Sequence, residues 1–154
     1  MAITFENIFF NFVLDPLRDI IQSEYTGMKV YVAPEIDTKY SANVSMRLWG
    51  TSAEKSEYVV DGHSRVYNVD VALYMMQMNP NETFYKKLYN DGERLHQLIF
   101  ENKTKKTTVG STTLQWADAS LNNMVIGEMD EEESEIEGLH TIKLDFSCNI
   151  TASV

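Results

Sequence analysis

Three histidines, one cysteine and one run of acids are the groups in this 154-residue chain whose types could do chemistry. The histidines are His63, His96 and His140, expected in a turn, on a helix and at a strand start. No two stand four residues apart, and none has a cysteine at metal-ligand spacing, so they read as isolated surface or structural residues. Cys148 lies on the apolar face of the last expected strand, where a thiol behaves as a small hydrophobe. A nucleophilic role would need a lowered pKa and a nearby base. The sequence has no glycine-rich phosphate loop, nucleophile elbow or dinucleotide fingerprint. The expectation is a protein with no catalytic site, no metal and no cofactor.

The acidic run is Glu128–Glu137, EMDEEESEIE, and it holds seven of the chain's 23 acids and no base. Its carboxylates are Glu128, Asp130, Glu131, Glu132, Glu133, Glu135 and Glu137. Three readings stand. The run is a loop kept in solvent by its charge. It is a divalent-cation site, although it lacks the glycine and alternating Asp/Asn spacing of an EF-hand loop. Or it is a negative surface that repels DNA or meets a basic partner. Formal net charge is −10, which argues against a subunit that grips nucleic acid through a basic patch.

The elements that would position these groups follow from periodicity. Phe5, Phe9, Val13, Leu17 and Ile21 recur every four residues and predict a helix over 5–25, with a kink or restart at Pro16. Gly27 is its stop signal. Short strands are expected at Lys29–Ala33 and Val44–Trp49, with a loop between them and a polar turn over 50–57. Tyr58–Val60 followed by Asp61-Gly62 is a hairpin signal. In the long run that follows, Tyr67, Val69, Val71, Leu73 and Met75 fall on one face of a strand. Asn79-Pro80-Asn81-Glu82 opens a second helix, with Phe84, Leu88, Leu95, Leu98 and Ile99 as its apolar stripe. Asn90-Asp91-Gly92 is a candidate bend, and 101–108 reads as a mobile polar stretch. Strands are expected at 112–116 and 123–128. Leu139–Ile150 closes the chain with near-perfect alternation, Ile142, Leu144, Phe146, Cys148 and Ile150 facing in.

This order predicts an α+β fold: one domain over residues 1–154, an antiparallel or mixed sheet, and two main helices packed on one of its faces. The start lacks the positive region of a signal peptide, and the apolar run 8–14 is too short to cross a bilayer. A soluble cytosolic product is therefore expected, and the Asn-x-Ser/Thr triplets at Asn43, Asn81, Asn102 and Asn149 carry no meaning. Two places hold more apolar surface than one core needs. Phe10 lies off the main stripe of the first helix, and Tyr74, Met76 and Met78 crowd the end of the long strand. These four are the candidate subunit contacts.

The opening amphipathic helix, KVYVAPEI, SMRLWG, RVYNVDVALYMM, the helix FYKKLYNDGERLHQLIFEN, TTLQWADAS and the closing GLHTIKLDFSCNIT carry a resemblance across nearly the whole chain. In element order, strand length and helix placement it resembles the tail terminator (tail completion) proteins of long-tailed bacteriophages. The resemblance implies a homo-hexameric ring at the head-proximal end of the virion tail. Such a ring caps the tail tube protein and joins the neck or stopper protein, with DNA passing through its lumen without specific binding. It implies assembly in the host cytoplasm, no membrane, and no catalytic residue or cofactor. The acidic loop departs from the family's expected pattern. A different neck or tail-tube component, or a small acidic domain recognising a basic partner, are the alternatives.

Overall fold

The computed structural model describes residues 3, 5–32, 45–59, 62–128 and 139–153. The chain is α+β. A π-helical stretch, Phe9–Leu14, runs into α1, Asp15–Glu24. Then come β1 (Lys29–Val32), β2 (Ser45–Val59), β3 (Gly62–Met76), α2 (Glu82–Glu101), β4 (Lys106–Val109), β5 (Thr112–Gln115), β6 (Ala117–Glu128) and β7 (Leu139–Ser153). The main sheet is ordered β1-β2-β3-β7-β6, and β4 pairs with β5 in a separate hairpin. β1 runs parallel to β2, and every other neighbouring pair in both sheets is antiparallel.

The long strands β3 and β7 form the middle of the sheet because both alternate without interruption. Their register is unbroken from Gly62↔Ser153 to Met76↔Leu139, so Val69 lies opposite Phe146 and Val71 opposite Leu144. These residues and the stripes of α1 and α2 make one apolar core, joined by Met46 and Leu48 of β2. Leu88, Leu95 and Ile99 of α2 are buried in it, while Phe84 and Leu98 are partly buried against it. α2 is capped by Asn81, whose Oδ1 accepts the Phe84 N–H at 3.0 Å. Pro80 precedes the cap rather than opening the first turn. At the expected bend α2 runs straight on. Gly92 instead lets the helix approach the sheet: a Cβ there would meet Met124 Sδ at 2.9 Å and Ile142 Cδ1 at 3.2 Å.

The first helix differs from expectation at both ends. Phe5 precedes it and is exposed. No restart occurs at Pro16; Leu14 and Asp15 keep right-handed helical angles. The turn before the proline widens instead, with the Asp15 N–H bonding to the Phe10 carbonyl five residues back. In an α-helix the amide of residue 16 would bond to the Phe12 carbonyl, and proline has no N–H to give. That carbonyl accepts the Trp116 indole N–H at 2.7 Å. The orphaned acceptor is thereby satisfied from the other half of the chain.

Three more expectations are corrected. The polar stretch 50–57 is not a turn but part of β2, which continues to the predicted hairpin, where Val59 pairs with Gly62. Backbone pairing with β3 carries it through polar residues, with register irregularities at Gly50/Ser52 and Lys55/Glu57. The Phe9 ring sits over Gly50, where a Cβ would lie 2.6 Å from its Cζ, and meets Tyr67 edge-on at 5.1 Å. The supposedly mobile 101–108 stretch contains β4. Gly110 and Ser111 form the turn to β5, Gly110 at a φ of 62°. β6 starts at Ala117 rather than 123. Among the described residues, three strands therefore precede α2 and four follow it. The calls on Ala33, Val44, Val60 and Asp61 lie outside the described residues.

Candidate functional site

The four candidate contact residues do not form one patch. Phe10 lies on the π-helical stretch, is 39% exposed, and has its N–H held by Asn7 Oδ1 at 3.2 Å. Tyr74 is on the sheet face turned away from the helices and is buried at 7% exposure, a correction to its expected place on the surface. It packs with Ala72, Trp49 and Met76 in a small second cluster. Extended backbone sends Tyr74 and Met76 to the side opposite Leu73 and Met75, so both serve this cluster. Met78 follows the strand and is exposed. Of the acidic residues, Glu128 ends β6, its backbone opposite His140. Asp130, Glu131, Glu132, Glu133, Glu135 and Glu137 lie outside the described residues.

Sequence reasoning missed the free edge of the sheet. β6 pairs with β7 on one side and with no other described strand. Near its end Val125 is 62% exposed and Ile126 40% exposed. Asp118 and Asn123 adopt positive φ, and the pairing slips at both places, so β6 is bulged at two points. The slip at Asn123/Met124 sets Val125 opposite Lys143 and Ile126 opposite Ile142. Their adjacency in sequence was the available signal, but no sequence pattern says which strand is an edge.

On the outer sheet face the charges are interlaced. Asp70 and Asp145 lie directly opposite each other on β3 and β7. Like charges so placed repel. Lys143 Nζ reaches Asp70 Oδ2 at 3.2 Å, and Asn123 Nδ2 donates to Asp145 Oδ2 at 3.3 Å.

The groups expected to be chemically quiet are placed as follows. His63 is in β3, not in a turn, and His96 is exposed on α2. His140 is buried, its Nε2 donating to the Gln77 carbonyl at 3.2 Å and its ring 4.8 Å from that of Phe84. Cys148 is buried among apolar side chains, and burial pushes its thiol up to about 12. It is therefore protonated at neutral pH and a poor nucleophile. Among the described residues no three His, Cys, Asp or Glu groups are arranged to hold a metal ion.

A cleft of about 520 Å³ lies between the end of α1, the start of β1 and the middle of α2. Arg94 spans its rim: Nε donates to Glu24 Oε1 at 2.8 Å, a second guanidinium nitrogen to the Glu24 carbonyl at 3.1 Å, and the group stacks over the Tyr25 ring at 4.5 Å. The Tyr25 hydroxyl donates to the Asp91 carbonyl at 3.1 Å. Burial first, and then the nearby Asp91 carboxylate, push the Tyr25 phenol well above its ordinary range. Asp91 is itself buried, and loss of solvent raises its carboxyl against the opposing pull of Lys87 and Arg94. The signal for this site was present: Asp91 stands three residues after Leu88 and four before Leu95, a charge inside an apolar stripe.

No family model and no curated protein matches this chain. Among the solved structures that match is a chain that aligns over 93% of this chain and 98% of its own length at 12% identity, with a TM-score of 0.44. A likeness that weak carries no argument about function. Among the described residues no helix is long and apolar enough to cross a membrane.

Proposed function

We propose that this chain is a structural subunit that closes into a ring through its sheet edge, in the manner of the phage tail terminators its sequence resembles. The observation that carries the assembly half of this reading is the β6 edge, which no other described strand pairs, with Val125 and Ile126 exposed side by side on opposite faces of the strand. An exposed apolar edge is a template for another chain. The opposite edge is β1, four residues long and paired parallel. The two edges differ in length, direction and side chains. A contact that uses both is therefore head-to-tail, and head-to-tail contacts generate rings when the rotation closes. Sixfold symmetry, the tail-tube and neck partners, and the station at the head-proximal end of the tail come from the resemblance alone. The acidic surplus suits a DNA conduit, because strong Lys/Arg contacts to phosphate would retard passage.

Imaging of the native particle tests this reading. The expected view places the chain around the tail axis with sixfold symmetry. Another symmetry, or a position outside the conduit, rejects the terminator assignment. Light scattering at several concentrations, alone and with tail tube, tests assembly separately. Val125→Asp with Ile126→Asp, and Phe10→Asp, should leave the subunit folded and abolish ring formation. Rings formed as by the wild type would remove both surfaces from the interface. Neutralising Asp130–Glu133 should raise DNA retention at low salt and lose that effect as salt screens it.

A further inference from the structure

Helical spacing puts Lys87, Asp91 and Arg94 on one face of α2, four and three residues apart. That face lines the 520 Å³ cleft, together with Lys29 of β1 and Ser45 of β2. The charged groups of the cleft divide into two sets. Arg94 and Glu24 are committed to each other. Lys29, Lys87 and the Asp91 carboxylate make no hydrogen bond or ion pair among the described residues.

Asp91 is the group that needs an explanation. It is only 6% exposed, what remains open faces the cleft, and a carboxylate so largely desolvated with no donor among the described residues is costly. The Tyr25 hydroxyl does not relieve it, since it is spent on the backbone carbonyl of the same residue. Ser45 is equally buried, and no described residue bonds to its hydroxyl. The cleft thus holds a largely buried carboxylate and a largely buried hydroxyl without partners among the described residues, and two solvent-exposed ammonium groups, Lys29 and Lys87, line it with them.

We propose that this cleft binds a small zwitterion of the amino-acid class, its ammonium donating to the Asp91 carboxylate and the Ser45 hydroxyl while its carboxylate meets Lys29 and Lys87. Asp91, Lys29 and Lys87 then each acquire a partner of opposite charge, and Ser45 a charged donor, through the stronger, charge-assisted kind of hydrogen bond. A purely anionic ligand would add negative charge beside the buried Asp91. A purely cationic ligand would face two lysines, and a metal ion would find one carboxylate and one hydroxyl flanked by positive charge. The volume falls within the range of small-molecule sites, roughly 300–1,000 Å³. The site stands apart from β6 and does not depend on the ring.

The test titrates the full chain with each of the twenty amino acids singly. Thermal melting and the backbone amide resonances of Gly27 and Ser45, both on the cleft wall, are the readouts. At least one amino acid should raise the melting temperature and move those resonances. Asp91→Asn should weaken its binding roughly tenfold or more, the weight of one charge-assisted contact. Lys87→Gln and Lys29→Gln should weaken it less, and the analogue lacking the amine should not bind. These two lysine variants carry the test if Asp91→Asn does not fold. The proposal is overturned if no amino acid shifts either readout, if binding survives all three substitutions, or if the des-amino analogue binds as well as its parent.

Discussion

Val69, Val71 and Leu73 point from β3 toward the helices and are each at most 1% exposed. Asn68, Asp70, Ala72 and Tyr74, interleaved with them on the same strand, point the other way among Trp49, Ser52, Lys143 and Met76. The backbone ladder is the same for both sets. What differs is the partner: the helix-side residues meet Phe146, Leu144 and Ile142 of β7 under two helices, whereas the outer residues meet Asp145, Lys143 and Thr141. Stability therefore rests on the helix side, where area is removed from water. The outer face carries charge pairs that water can replace, along with a small aromatic cluster.

Substitutions on β7 should separate the faces most sharply. Leu144→Ala should cost about 2–5 kcal/mol in a denaturant titration, as for a leucine closed off from solvent, while Asp145→Asn beside it should change stability by less than about 0.5 kcal/mol or improve it by relieving Asp70. Equal losses from the two would erase the distinction. Trp116→Phe keeps most of the ring packing against Phe146, whose centroid is 5.1 Å away, and removes the indole N–H. The Phe12 carbonyl then loses its donor, at a cost of about 1–3 kcal/mol. A neutral result would mean that water or the helix backbone takes over.

The buried Asp91 allows a pH test on the covered side. Its folded-state pKa is raised by burial, so between the unfolded and folded values the native state binds more protons than the unfolded chain. Stability contributed by this group is therefore fully present below the unfolded pKa and declines as pH rises to the folded one. Asp91→Asn should remove that decline and stabilise the chain at neutral pH relative to the wild type, read from denaturation midpoints across the acid range. The smallest effect is expected on the outer face. Lys143→Ala breaks an ion pair whose lysine is half exposed, and should cost at most about 1 kcal/mol, less at high salt.

Much of the covered side was legible because it obeys one period. The alternation of 67–75 and 142–150 named the two central strands and their inward residues, and the stripe Leu88, Leu95 and Ile99 named the helix above them. β6 was not legible at its start, since Asp118 and Asn123 in left-handed conformation each insert a break into the alternation that would announce it. The widened turn before Pro16 leaves no trace in the spacing of Phe9, Val13 and Leu17. The donor that satisfies its Phe12 carbonyl is Trp116, 104 residues away. Residues 50–57 read as a polar turn because composition marks solvent exposure, not backbone pairing. For the candidate sites the failures differ. Tyr74 was taken for surface because the outer cluster that buries it draws in Trp49 from the neighbouring strand β2. The Asp91 cleft was passed over because its members come from four elements.

The pairing of β3 with β7 has a consequence for the order of events during synthesis. Gly62 is matched with Ser153, so the central strand cannot complete its ladder until Ser153 has left the ribosome. The contact of Trp116 with the Phe12 carbonyl likewise keeps the first helix waiting for the chain's second half. Chains dominated by such distant pairings fold on the order of milliseconds to seconds. Throughout that interval the unpaired side of β3 is an open strand in a crowded cell, where identical chains emerging from one message are the nearest alternative partners.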